Sequence, residues 1–163
     1  MSCTFFGHRD ATDGIKAKLK KSILYLIEER QVERFLVGNN GNFDLYVQCV
    51  LIELKKEGVN IRFDIVLSRP EEKALSGNQE VTLFPEGMEY ALPRYAVSKR
   101  NAWLIKNASF AIVYVRSPFS NSNRWMKEAL RKGLTVINLF DESINFPEKD
   151  DGTLLQMPCN TQE

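Results

Sequence analysis

Phe35-Leu36-Val37-Gly38-Asn39-Asn40-Gly41-Asn42-Phe43-Asp44 is the stretch on which the fold turns. Three consecutive apolar residues read as a short strand buried on both faces, and Gly38 ends it. The next four residues, Asn39-Asn40-Gly41-Asn42, are polar or glycine and cannot continue a core strand. From about Asp44 to Lys56 the apolar residues Val47, Val50, Leu51 and Leu54 recur at helical spacing, and Gly58 is a natural stop. Strand, glycine-rich turn and amphipathic helix in that order form one half of a strand–helix–strand crossover.

The same alternation extends both ways. Upstream, Cys3 to Phe6 read as a first buried strand ending at Gly7. Thr12 or Asp13 would cap a helix carrying Ile15, Leu19, Ile23, Leu26 and Ile27 to about Gln31. Downstream, Ile61 to Leu67 form a third strand. Pro93 opens a third helix through Ile105, Phe110 to Val115 form the clearest buried strand, Trp125 to Lys132 a fourth helix, and Leu134 to Leu139 a last strand. Short connections between alternating strands and helices predict a single Rossmann-like α/β domain, with a parallel sheet of about five strands flanked by helices, over residues 1–140. Residues 141–163 lose periodicity and read as a tail packed on that domain or fraying from it. Residues 68–92 are the hardest to assign. A small strand within Val81 to Phe84 and turns at Ser76-Gly77-Asn78 and Pro85-Glu86-Gly87 would make them either a binding loop or a surface excursion.

Bulk properties narrow the classes. The 163 residues carry 22 basic and 21 acidic side chains, a formal charge of +1, so overall charge gives no attraction to nucleic acid or to a membrane. With 44% hydrophobic and 26% charged residues, the mixture is that of a globular domain. Cys3, Cys49 and Cys159 are widely spaced, no CxxC occurs, and His8 is the single histidine, which argues against a zinc site and suits a reducing, cytoplasmic compartment. The opening MSCTFFGHRD is too polar for a signal peptide, and no apolar run has the length of a membrane span.

In open parallel sheets ligands bind beyond the C-terminal strand ends, where strand order reverses. Three polar loops should leave those ends: Gly7-His8-Arg9-Asp10, Gly38 to Asp44, and Arg116 to Asn123. Each precedes a helix, whose free N–H groups and positive dipole end suit a phosphate. Gly38 and Gly41 would let the backbone approach a ligand, and Asn39, Asn40 and Asn42 supply amides that donate and accept. Asp44 is a candidate catalytic carboxylate that could bind ribose hydroxyls or orient water, or it could simply cap its helix. Arg9 would pair with a phosphate, and His8 would either donate to a phosphate or a base or be a half-buried histidine bonded to backbone. Arg100 and Asn101 either face the cleft or form a solvated helix surface. Arg116 would either contact an anion or support its loop as a surface arginine, and Ser117, Ser120, Ser122 and Asn123 would hydrogen-bond a phosphate or cap the fourth helix. Tyr90, Tyr95 and Trp125 are base-stacking candidates, with packing as the competing role.

These loops resemble those of the SLOG superfamily, and in particular its small YpsA-like bacterial and phage members. The likeness rests on FFGHRD, FLVGNNGNFD, KRNAWLIKNASFAIVYVRSPF and EALRKGLTVINL, and spans roughly Cys3 to Leu139. It implies a Rossmann-like fold that binds nucleotides or their derivatives. The family's glycine-rich turn falls on Gly38 to Asp44, its first-strand motif on Gly7, His8 and Arg9, and its Arg-Asn pair on Arg100 and Asn101. The phosphoribohydrolase branch cleaves the bond between base and ribose monophosphate, using an arginine and a glutamate after a PGGxGTxxE loop. Here that loop reads Ser117-Pro118-Phe119-Ser120-Asn121-Ser122-Asn123 and has no glycine pair, with Glu128 the carboxylate in the following helix.

Three functions follow as expectations. The first is binding of a nucleotide-derived ligand without robust catalysis, as in a sensor. The second is an N-glycosidase in which Asp44 or Glu128 stabilises an oxocarbenium-like centre. The third is single-stranded DNA binding of the DprA type, which near-zero net charge disfavours unless basic residues concentrate in one strip. No cofactor is implied, and a homodimer is open: related folds often pair through helices, and an exposed apolar helix face would favour it.

Overall fold

The computed structural model describes residues 1–78, 81–144 and 146. Its elements are β1 (Ser2–Gly7), α1 (Lys16–Arg30), β2 (Arg34–Val37), α2 (Gly41–Lys56), β3 (Arg62–Val66), β4 (Thr82–Leu83), α3 (Ala96–Lys106), β5 (Phe110–Tyr114), α4 (Asn121–Arg131) and β6 (Thr135–Asn138). One six-stranded sheet runs in the order β4-β3-β2-β1-β5-β6, and every neighbouring pair is parallel. The fold is therefore α/β with a fully parallel sheet, one strand wider than the sequence predicts.

The sixth strand is β4 at the edge, inside the Val81 to Phe84 segment where a small strand is expected. Two residues are too few to show a hydrophobic period, yet Ile65 N–H donates to Val81 O and Leu67 N–H to Leu83 O, both at 2.8 Å. The segment around it is thus part of the sheet edge rather than a free loop.

Strand residues alternate between two apolar layers, as period-two side chains must. Phe5, Phe35, Val37, Ile65 and Ile112 pack under α1 and α2, against Leu19, Ile23, Leu51 and Leu54. Phe6, Leu36, Val66, Ala111 and Val113 pack under α3 and α4, against Leu104, Trp125 and Ala129. With helices on both faces, the central strands are buried throughout and read as continuous apolar runs. Cys3 lies in the first layer, fully buried, and burial pushes its thiol far above the usual range, so it is an inert packing residue.

Topology also fixes where a ligand could sit. The chain builds outward from β1 through β2, β3 and β4, then returns to lay β5 on the other side of β1. Strand order reverses between β1 and β5, which leaves a crevice beyond their C-terminal ends. Their register runs from Cys3 opposite Phe110 to Gly7 opposite Tyr114, so both strands end at the same height.

No helix among the described residues is long and apolar enough to cross a membrane. The first residues of the tail touch the domain: Lys18 Nζ donates to Asp141 O at 2.7 Å, and the Phe146 ring lies 5.3 Å from that of Tyr25. The rest of the expected tail, with Cys159, lies outside the described residues.

Candidate functional site

The crevice is a cleft of about 240 Å³. It is lined by the ends of β1 and β2 (Phe5 to Arg9, Gly38, Asn40), by Asp44 of α2, by Val97, Arg100 and Asn101 of α3, and by Ser120, Asn121, Ser122 and Trp125 at the start of α4.

Two glycines make room for it. A Cβ on Gly38 would lie 2.7 Å from Asp44 Oδ2 and 3.0 Å from Arg100 Cζ, so any side chain there would enter the space between carboxylate and guanidinium. A Cβ on Gly7 would lie 2.2 Å from the ring of Phe43, the residue that anchors the first turn of α2. The turn between them depends on Gly41, whose φ of +83° is a left-handed conformation that favours glycine. The first two loops are bound together at that point. Asn42 N–H donates to Arg9 O at 2.9 Å, and Asn42 Nδ2 to Ala11 O at 3.3 Å.

Charge in the cleft is buried and only partly compensated. Asp44 is 7% exposed, and its Oδ2 accepts from Asn40 N–H at 2.9 Å. Burial raises its carboxyl to about pKa 6, against the opposing pull of Arg100, the Asn40 N–H and Arg9. Arg100 is 2% exposed. It donates from Nε to Asn101 Oδ1 at 3.0 Å and from Nη1 to Val66 O at 3.2 Å, and it makes no ion pair among the described residues. Burial lowers its pKa, while the charges of Asp44 and Glu72 act the other way. Arg9 is exposed and equally without an ion pair among those residues. Asn40 Oδ1 is a buried acceptor with no hydrogen-bond partner there.

His8 joins the first loop to the third. Its Nε2 accepts from Arg116 N–H at 2.9 Å, so the ring is neutral in this arrangement, with its proton on Nδ1. Burial lowers its pKa, with the positive charge of Arg116 acting in the same direction and Asp10 against it. The stability this bond contributes is full above pH 6.5 and is lost as pH falls through the lowered native value, because a protonated Nε2 cannot accept.

At the far wall, Ser120 Oγ accepts from Asn123 N–H at 3.1 Å and caps α4. The backbone N–H groups of Asn121 and Ser122 are left at the first turn, as at any helix start.

The structure thus brings together Gly7, His8, Arg9, Gly38, Asn40, Asp44, Arg100, Asn101 and Ser122. Gly41 and Asn42 serve the turn behind the cleft rather than lining it. Asn39 faces away: its Nδ2 donates to Lys73 O at 3.0 Å and its Oδ1 accepts from Leu75 N–H at 2.9 Å, fastening residues 72–75 to the end of β2. Arg116 is turned outward onto Asp10 at 2.6 Å, and Ser117 accepts from Phe119 N–H at 3.3 Å. Glu128, the other candidate catalytic carboxylate, sits outside the cleft, seven residues into α4, and pairs with Arg131 at 2.6 Å. That bond holds its carboxyl below the usual range. The solvated-face alternative for Arg100 is also corrected, since a solvated guanidinium would not be almost wholly buried. Tyr90 is 83% exposed and stands apart from the cleft, whereas Trp125 is buried against Phe6, with ring centroids 6.1 Å apart.

One supporting residue was missed in the sequence. Gln48 is fully buried, donates from Nε2 to Gly38 O at 2.9 Å and to Asn39 Oδ1 at 3.1 Å, and accepts from Ser76 N–H at 3.0 Å. Its signal was an amide four residues after Asp44, on the apolar face of the same helix.

Comparison of the chain with known protein families and with curated proteins finds no match.

Proposed function

We propose that the cleft binds a nucleotide or nucleotide-derived ligand through a phosphoryl group. The observation that carries this reading is Arg100: a guanidinium 2% exposed, at the wall of an open cleft, with no ion pair among the described residues. A buried charge that Asp44 and Glu72 compensate only in part is costly, and an anionic ligand would supply a closer partner. The start of α4 and the exposed guanidinium of Arg9 add donors and positive potential from other sides. The orphaned Asn40 Oδ1 and the free edge of Asp44 suit hydroxyl groups such as those of a ribose. At about 240 Å³ the cleft falls below the roughly 300 Å³ of most small-molecule sites, so it suits the sugar-phosphate part and leaves a base at the rim. The SLOG-like motifs lend the same support, since Gly7-His8-Arg9, Gly38, Asn40, Asp44 and Arg100-Asn101 all converge on this one place.

The second reading, an N-glycosidase, is favoured by Asp44 alone. A carboxylate lodged near two guanidinium groups, with one oxygen held by the Asn40 N–H, could face the anomeric carbon while the phosphate is gripped. Glu128 has no part in it, because it lies outside the cleft.

Calorimetry and thermal shift with AMP and ADP-ribose, followed by product analysis, test both. Binding without release of base or sugar supports the first reading, and release that is lost in Asp44→Asn supports the second. Arg9→Ala, a surface change, should weaken binding about tenfold. If neither compound shifts the midpoint at millimolar concentration, nucleotide binding is wrong.

A further inference from the structure

Beyond the cleft, α4 carries a second concavity. It is an open groove of about 640 Å³ lined by Pro118, Phe119, Arg124, Lys127, Glu128 and Arg131, and it shares Ser120 and Asn121 with the cleft. The two concavities therefore share a wall at the helix start. Arg124, Lys127 and Arg131 follow at intervals of three and four residues, placing them on one face with rises of about 4.5 and 6 Å between them. Glu128 engages Arg131. Arg124 and Lys127 make no ion pair among the described residues, and the Arg124 guanidinium lies 5.2 Å over the Trp125 ring, on the outer side of a residue that lines the cleft. At the mouth, Phe119 is 95% exposed.

We infer that this groove is a second subsite of the same ligand site, taking the second nucleotide unit of a dinucleotide whose first phosphate occupies the cleft. The inference rests on the proposed function of the cleft. Three observations carry it: at about 240 Å³ the cleft leaves the rest of a ligand at its rim, the groove adjoins it through Ser120 and Asn121, and the groove supplies what the next unit needs. Arg124 and Lys127, neither in an ion pair among the described residues, would meet the bridging phosphate. Phe119 would offer a face on which the second base stacks, which is the usual use of an exposed ring beside a basic track. A near-neutral chain that concentrates cations on one helix face, adjoining a buried arginine, reads phosphate in two places rather than one.

Titration calorimetry of the full chain tests this with AMP and the linear dinucleotide pApA as probes. The dinucleotide should bind roughly tenfold or more tightly than AMP, by the worth of one stacked base and one phosphate contact. In the Arg124→Ala/Lys127→Ala double variant, made at exposed positions, that advantage should disappear while AMP affinity stays unchanged. Phe119→Ala should remove part of it, and the advantage should shrink as salt is raised. Equal affinity for the two probes overturns the subsite and leaves the cleft standing. So does a double variant that weakens both probes alike, because that result would mean only a diffuse positive field. Failure of both probes to bind overturns the cleft reading and this inference together.

Discussion

Two helices frame the cleft with their N-termini, and they begin in opposite ways. α4 starts as a surface helix does, with Ser120 Oγ capping Asn123 N–H and polar groups facing water. α2 starts inside the protein. Its N-cap residue, Asn40, makes no side-chain cap. Instead the buried carboxylate of Asp44 accepts the Asn40 N–H, Phe43 packs against Gly7, and Gly41 turns the chain against Arg9. Helix starts can be satisfied cheaply by one hydroxyl. A start that retains a buried carboxylate near an unpaired buried arginine sacrifices stability, which is the usual mark of a place kept for binding.

The contrast can be broken at Gly7. Gly7→Ala would drive a methyl into the Phe43 ring, which has no exposed surface to give way, and should destabilise the protein by about 3 kcal/mol or more in denaturant titration. Ordinary stability would mean that the start of α2 is looser than its packing indicates.

Asp44→Asn sharpens the contrast by sign. The native carboxyl holds its proton to about pH 6, above the reference value of 3.8, so the folded state binds more protons than the unfolded chain between those values. Stability from this group is therefore full below pH 3.8 and is lost as pH rises through about 6. The neutral isostere should raise stability at pH 8 by on the order of 3 kcal/mol and leave it nearly unchanged in acid. Thermal melts of both proteins across that range check it, and a loss of stability at pH 8 would show that the ionised carboxylate holds α2 in place.

At α4 the expected effect is smallest. Ser120→Ala removes a single surface cap and should cost about 1 kcal/mol, with no pH dependence in the same melts. A cost as large as that at Gly7 would erase the distinction between the two helices.

The apolar runs 35–37 and 110–115 and the helical spacing of Leu19, Ile23, Val47 and Leu51 were enough, without coordinates, to establish alternating strands and helices and hence a parallel sheet covered on both faces. Residue order also placed the polar loops at one end of that sheet, because parallel strands must all point the same way. The loops at Gly7 and Gly38 were legible as a candidate site for that reason. Only the tertiary structure decided which side chains meet there. The return of β5 beside β1 put Arg100, on a helix that read equally well as solvated, into the wall of the cleft, and left Glu128 outside it. Asn39 and Asn40 are neighbours of the same type, yet one fastens residues 72–75 and the other lines the cleft. Adjacent residues leaving a strand point to opposite sides, and nothing in their identity records which side is open. The small strand expected within Val81 to Phe84 is β4, but its place at the sheet edge was hidden, since its hydrogen bonds go to β3. Local sequence fixes what a segment can become through its own periodicity, whereas burial and charge pairing depend on partners far along the chain.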